Sequence, residues 1–177
     1  LDQVEMSVAY PNLPVTFVGF VPGITTPGGV THQSINDVGI MRTVPNMAIF
    51  DVGDATDIEG VLDLVYEWNG PAYIRMLRKE VPRLFPANEP MVFNRARTIT
   101  EGDDVLILSS SICTEEAMRA TAALEDKGVS VQHMHVSTLK PFTDPTIVEA
   151  LKKCKYGVVT MENHYNIGGL GSAVADL

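Results

Sequence analysis

Along the chain, short apolar runs rich in β-branched and aromatic residues alternate with stretches whose apolar positions recur every three or four residues. That alternation is the trace of βαβ units feeding a mainly parallel sheet. Val15–Phe20 predicts a buried strand, Ser34–Thr43 a short helix and Met47–Phe50 the next strand. Ile58, Val61, Leu62 and Val65 predict an amphipathic helix over Asp57–Trp68 with Thr56 as its cap, and Ala72–Arg75 resumes the sheet after Gly70-Pro71. Between about Pro82 and Thr98 the periodicity stops and prolines, asparagines and arginines take over, as in a linker. A second series then starts: strand Asp104–Leu108, helix Thr114–Asp126 stopped by Gly128, strand Val129–Val136, helix Pro145–Lys153 behind Thr143 and Asp144, strand Tyr156–Met161, and a last helix after Gly168-Gly169-Leu170-Gly171. The expected fold is α/β with two small, doubly wound, mainly parallel sheets, residues 1–86 in one domain, 87–100 as linker and 101–177 in the other.

Composition narrows the partners. A hydrophobic content of 45% in 177 residues is enough for a packed core, and a net charge of −9 repels a nucleic-acid backbone or an anionic membrane, so neither is expected. An anionic substrate would have to be met by a few placed cations. Cys113 and Cys154 lack metal-knuckle spacing and suggest no disulfide framework, which fits a reducing, cytoplasmic setting. The apolar run from Leu13 to Ile24 is short and broken by Pro14, Gly19, Pro22 and Gly23, so no membrane span is expected there. An opening at Leu1 rather than methionine, and a close within a helical pattern at Leu177, suggest a section of something longer.

Five places are candidates for chemistry or contact. Gly28-Gly29-Val30-Thr31-His32 sets an imidazole just behind two glycines that let the backbone turn tightly and approach a ligand; a capped structural histidine is the other reading. Arg75 and Arg78, which close the first domain's last strand, suit phosphate or carboxylate, unless both are surface arginines bound to local acids. Gly169-Leu170-Gly171-Ser172-Ala173-Val174 is a partial dinucleotide fingerprint without its last glycine or the acid expected roughly 20 residues on. Alternatively, those glycines let a helix pack closely on its strand or on a neighbouring subunit. His133 and His135 share one face of a strand, which suits two metal ligands, but no neighbouring acid or cysteine completes a set, so polar residues on a partly exposed sheet face are expected instead. His164, just past a strand end beside Glu162, reads as an interface residue.

These pieces stand in an order that resembles the transketolase family. Thr31-His32-Gln33-Ser34-Ile35-Asn36-Asp37 through Met41-Arg42-Thr43-Val44-Pro45-Asn46-Met47 is similar to the family's G-x-THQ-x-(I/L)-E-D-x-x-x-(M/L)-R-x-(I/L)-P-N-M pattern, and Gly70-Pro71-Ala72-Tyr73-Ile74-Arg75-Met76-Leu77-Arg78 to the segment that ends its pyrimidine-binding domain. Gly128–Val131, Thr138–Asp144 and Met161–Val174 resemble the C-terminal domain. The resemblance implies a partial pyrimidine-binding domain followed by a truncated C-terminal domain, possessing part of a site for thiamine diphosphate with Mg2+. It implies transfer of a two-carbon ketol unit between sugar phosphates in an assembly with an N-terminal subunit or domain, and a homo-oligomer built on the thiamine-type dimer interface; this section alone is expected to be inactive. The order also fits the smaller subunit of split, two-chain transketolases.

Carried over residue by residue, the resemblance implies that His32 faces the reacting end of the substrate, that Arg78 grips its phosphate with Arg75 a weaker candidate, and that Gly28 and Gly29 border the sugar. Cofactor and metal ligands are expected outside this chain. The pattern departs from the family where an acidic residue usually stands at Gly28 or Gly29, and where a histidine usually stands near Phe20, Val21 and Pro22; both departures remove partners for substrate hydroxyls. Deoxyxylulose-phosphate synthases, β subunits of 2-oxoacid dehydrogenases, and a non-catalytic α/β assembly module remain alternatives.

Overall fold

The structure is a computed structural model that describes residues 1–20, 22–25, 27–77 and 80–177. A short helix α1 (Asp2–Val4) runs on as a π-turn over Glu5–Ala9 and delivers the chain to β1 (Thr16–Phe20). After a 3₁₀ turn at Gly29–Thr31 come α2 (Asp37–Thr43), β2 (Ala48–Asp51), α3 (Ala55–Glu67) and β3 (Ala72–Met76). The second half holds β4 (Arg97–Thr100), β5 (Val105–Ser109), α4 (Cys113–Glu125), β6 (Val131–His135), β7 (Thr138–Lys140), α5 (Pro145–Lys153), β8 (Val158–Met161) and α6 (Leu170–Ala175).

Two four-stranded sheets result, in the orders β1-β3-β2-β7 and β4-β6-β5-β8. The expected α/β class with two mainly parallel sheets holds: β1 and β2 run parallel to β3, and β6 and β8 run parallel to β5. Each sheet also has an antiparallel edge. β4 pairs antiparallel with β6, so part of the expected linker is an edge strand; its polar Arg97-Thr98-Ile99-Thr100 sequence is what a one-sided edge tolerates. β7, which the periodicity does not reveal, leaves the second series and pairs antiparallel with β2.

That crossing strand joins the halves into one packed unit. Val38, Met47 and Ile49 of the first half share a buried cluster with Leu106, Leu108, Met134, Val136, Leu139 and Leu170 of the second. Helix α3 starts two residues earlier than its apolar spacing predicts, because Asp54 and not Thr56 is the cap: its carboxylate accepts from the Asp57 amide at 2.9 Å. Thr56 lies inside the helix and its hydroxyl donates to the Phe85 carbonyl. Leu62 falls on the solvent side, while Val61 is fully buried. Helix α5 begins at Pro145 behind Asp144, as expected. Among the described residues no helix is long and apolar enough to cross a membrane.

Candidate functional site

His32 is carried on a backbone that only glycine permits. Gly28 and Gly29 have φ of 131° and 68°, and together they fold Gly29–Thr31 into a single 3₁₀ turn closed by the His32 amide on the Gly29 carbonyl at 3.0 Å. A Cβ at Gly28 would lie 3.1 Å from the His32 ring carbon Cγ, so the glycine also makes room for the imidazole. His32 is exposed, and its Nδ1 lies 2.8 Å from the Thr31 hydroxyl. An open cleft of about 450 Å³ adjoins the turn, lined by Ile24, Val30, Gln33, Ile35, Asn36 and Tyr165. Val30 and Ile24 are among the most exposed apolar side chains, at 91% and 73%.

Below the turn lies a buried ionic frame. Arg75, on β3, is fully buried, with Nε 2.8 Å from Asp37 Oδ2 and Nη1 3.3 Å from Asp51 Oδ1. Its Nη2 donates to the Asn163 carbonyl at 2.7 Å and to the Ser34 carbonyl at 3.4 Å. Burial works against the guanidinium charge, but Asp51 and Asp37 outweigh it and raise its pKa further. Tyr73 donates to Asp37 Oδ2 at 2.8 Å, and burial together with that carboxylate pushes its phenol well above the usual range. Asp51 also accepts from the Ser110 hydroxyl at 2.8 Å. Arg75 thus departs from the expected substrate cation and from the surface arginine alike: buried and committed to two acids and two carbonyls, it ties α2 to the second half. Arg78 lies outside the described residues.

The two strand histidines are not on a partly exposed face. Both are fully buried, because α4 packs over their face of β6 and Asp57 of α3 meets His135 from the first half. His135 Nε2 sits 2.7 Å from Asp57 Oδ2 and its Nδ1 2.6 Å from Thr114 Oγ1, while His133 Nε2 sits 2.8 Å from Ser109 Oγ. Burial of Asp57 would raise its pKa, yet His135, Arg97 and the Gly53 amide hold the carboxyl far below the usual range. Burial, then neighbouring His135, lowers His133 to about 4. The His164 side chain is buried at the contact between the halves, its Nε2 accepting from the Gly39 amide at 3.4 Å. No group of three or more His, Cys, Asp or Glu side chains that could hold a metal exists among the described residues.

The glycine cluster is a packing device here. A Cβ on Gly168 would lie 2.6 Å from Gly39 Cα, and Arg42 donates to the Gly168 and Gly169 carbonyls at 3.0 and 3.3 Å. The Leu170 and Gly171 amides at the start of α6 donate to the Glu162 carboxylate, so this chain's own acid occupies the place a diphosphate would need. Sequence reasoning missed Asn163, Asp37 and Tyr165 as members of the site. Only their places, in the first turn of a helix and just past the end of a strand, hinted at a role.

Comparison with known proteins places the chain in a family. The family model described as the transketolase pyrimidine-binding domain matches residues 2–83, and that of the transketolase C-terminal domain matches residues 94–177. The chain belongs to the transketolase family. It is 39% identical over 99% of its length to the 6-deoxy-6-sulfo-D-fructose transketolase subunit SqwH of Clostridium sp. (strain MSTE9), of which it covers 54%. It is 30% identical over 99% of its length to a subunit of the apulose-4-phosphate transketolase of Actinobacillus succinogenes, of which it covers 57%. A solved structure titled as a split gene transketolase, inactive β4 tetramer, superposes with a TM-score of 0.91 at 35% identity, covering 99% of this chain and 56% of that one. The chain thus spans about half the length of these relatives.

Proposed function

We propose that this chain is the substrate-side section of a thiamine-diphosphate-dependent transketolase that moves a two-carbon ketol unit between sugar phosphates, with an N-terminal partner subunit or domain completing the site and copies of the chain associating across it. The observation that carries this reading is the exposed imidazole of His32 on its two-glycine turn, next to an open cleft lined by its neighbours Val30 and Gln33. The apolar rim of Ile24, Val30 and Ile35 suits the heteroaromatic end of the cofactor. The ligands of the diphosphate and Mg2+ are assigned to the partner, as the family resemblance implies, and the net charge of −9 does not favour the diphosphate here. A relative described as an inactive β4 tetramer fits the need for that partner. The free thiols of Cys113 and Cys154 favour a reducing, cytoplasmic setting for the enzyme.

When bound, the cofactor supplies a carbon nucleophile and an electron sink. The protein's part is positional. His32 Nε2 donates a hydrogen bond to the oxygen that gains charge as the ketose carbonyl is attacked, and exchanges a proton with the neighbouring hydroxyl. Gly28 and Gly29 allow the sugar to approach the backbone, and Arg78 anchors its phosphate. In the assembly reconstituted with its partner, His32→Ala is expected to lower kcat by roughly 100-fold with no change in melting temperature. Arg78→Ala is expected to raise KM for phosphorylated ketoses only. Steady-state kinetics on phosphorylated and unphosphorylated substrates check both, and an unaltered rate in His32→Ala rejects the role.

A further inference from the structure

The turn that carries His32 is held at its base by a residue from the other domain. Between β1 and the turn, Pro22 bridges to Ser34, and the Gly23 amide donates to the Ser34 carbonyl at 2.5 Å. Asn163, from the loop after β8, is inserted beside this pair and is only 6% exposed. Its Nδ2 donates to the Pro22 carbonyl at 3.2 Å, its Oδ1 accepts from the Ile24 amide at 3.0 Å, and its own carbonyl accepts from Arg75. One amide side chain therefore pairs with the backbone on both sides of Gly23, as a neighbouring strand would. Gly23 has φ of 69°, and a Cβ there would fall 2.1 Å from Asn163 Cγ. The fit is reciprocal: the glycine is open where the asparagine enters.

The next two residues extend the hold. The Tyr165 amide donates to the Ile35 carbonyl at 2.6 Å, and the Tyr165 side chain lines the cleft beside Ile24 and Val30. His164 accepts from Gly39 in α2. We propose that Asn163 is a positioning residue for His32: through Pro22 and Ile24 on one side and Arg75 and Ser34 on the other, the C-terminal domain sets the pose of the imidazole-bearing turn. The C-terminal domain then forms part of the catalytic site rather than a support beside it. This deepens the transketolase reading and rests on it for the word catalytic, but the mechanical coupling is a property of the chain alone.

The test has two readouts. In the full-length chain, the His32 ring resonance, assigned with His32→Gln, is followed by NMR in Asn163→Leu, which keeps the volume and removes both hydrogen bonds. The expected result is a displaced and broadened His32 signal, with the buried His135 signal unmoved. Gly23→Ala, which perturbs the same joint from the first domain, is expected to move His32 in the same way and serves if Asn163→Leu does not fold. In the reconstituted enzyme, kcat of these variants is expected to fall roughly 10- to 100-fold with KM within about threefold, and Asn163→Asp, which retains the acceptor to Ile24, to recover part of the loss. A His32 signal unchanged in folded Asn163→Leu or Gly23→Ala overturns the proposal. Absence of ketol transfer in the wild-type assembly would instead count against the transketolase reading and leave the NMR result standing.

Discussion

At the scale of single residues, the site separates groups that face solvent from groups that hold them. His32 is exposed and, among the described residues, its ring makes one hydrogen bond, to Thr31, so removing it touches chemistry and little else. His133 is the opposite case: fully buried, with Nδ1 unpartnered and its pKa lowered to about 4 by burial and by His135. The unfolded chain takes up a proton at this residue near pH 6.5 and the folded chain only near pH 4, so stability rises with pH across that window and is lost as pH falls through it. At about 1.4 kcal/mol per unit this is on the order of 3 kcal/mol. His133→Gln, which keeps a partner for Ser109 and cannot titrate, is expected to flatten the fall in melting temperature between pH 6.5 and 4 seen by calorimetry. The glycine–histidine pattern made His32 a candidate in the sequence. Nothing in the sequence separated His133 and His135 from exposed strand residues, because alternation assigns a face and not what covers it.

At the scale of elements, helix starts and strand edges decide where the functional loops sit. Asp54 shows how much one cap can hold: besides the Asp57 amide, its second oxygen accepts from the Leu84 and Phe85 amides at 2.7 and 3.0 Å, fastening the chain after β3 to the head of α3. Asp54→Ala leaves three buried or half-buried amides without acceptors and is expected to cost about 2–4 kcal/mol in urea unfolding, more than a cap alone. Asp144 plays the same double part for α5, accepting from Thr146 and from the Ala96 amide just before β4. That β4 lay hidden in the expected linker has the same origin. Its pairing with β6 comes from a partner far away in sequence, whereas its own residues carry no period of two with a buried face. Strands β2 and β5 were readable because they are buried on both faces and therefore apolar along nearly their whole length.

At the scale of the whole molecule, the two halves share a core, a strand and a charge network. Arg75 is its centre, and Arg75→Met is expected to cost about 3–5 kcal/mol because Asp37 and Asp51 would be left buried without a counter-charge. Adding Asp37→Asn and Asp51→Asn to that variant is expected to recover much of the loss, a comparison of single and triple variants read by chemical denaturation. The amino-acid sequence by itself determined the α/β class, most helices and strands, and the glycine turn that presents His32, since each depends on local periodicity, caps and backbone freedom. Tertiary structure alone decided that β7 crosses to the first sheet, that Arg75 is an internal tie and not a substrate cation, and that Asn163 reaches the base of the His32 turn. Those outcomes depend on which burial and hydrogen-bond partners meet across long stretches of chain, and a buried charge or amide is settled only by the groups folding brings to it.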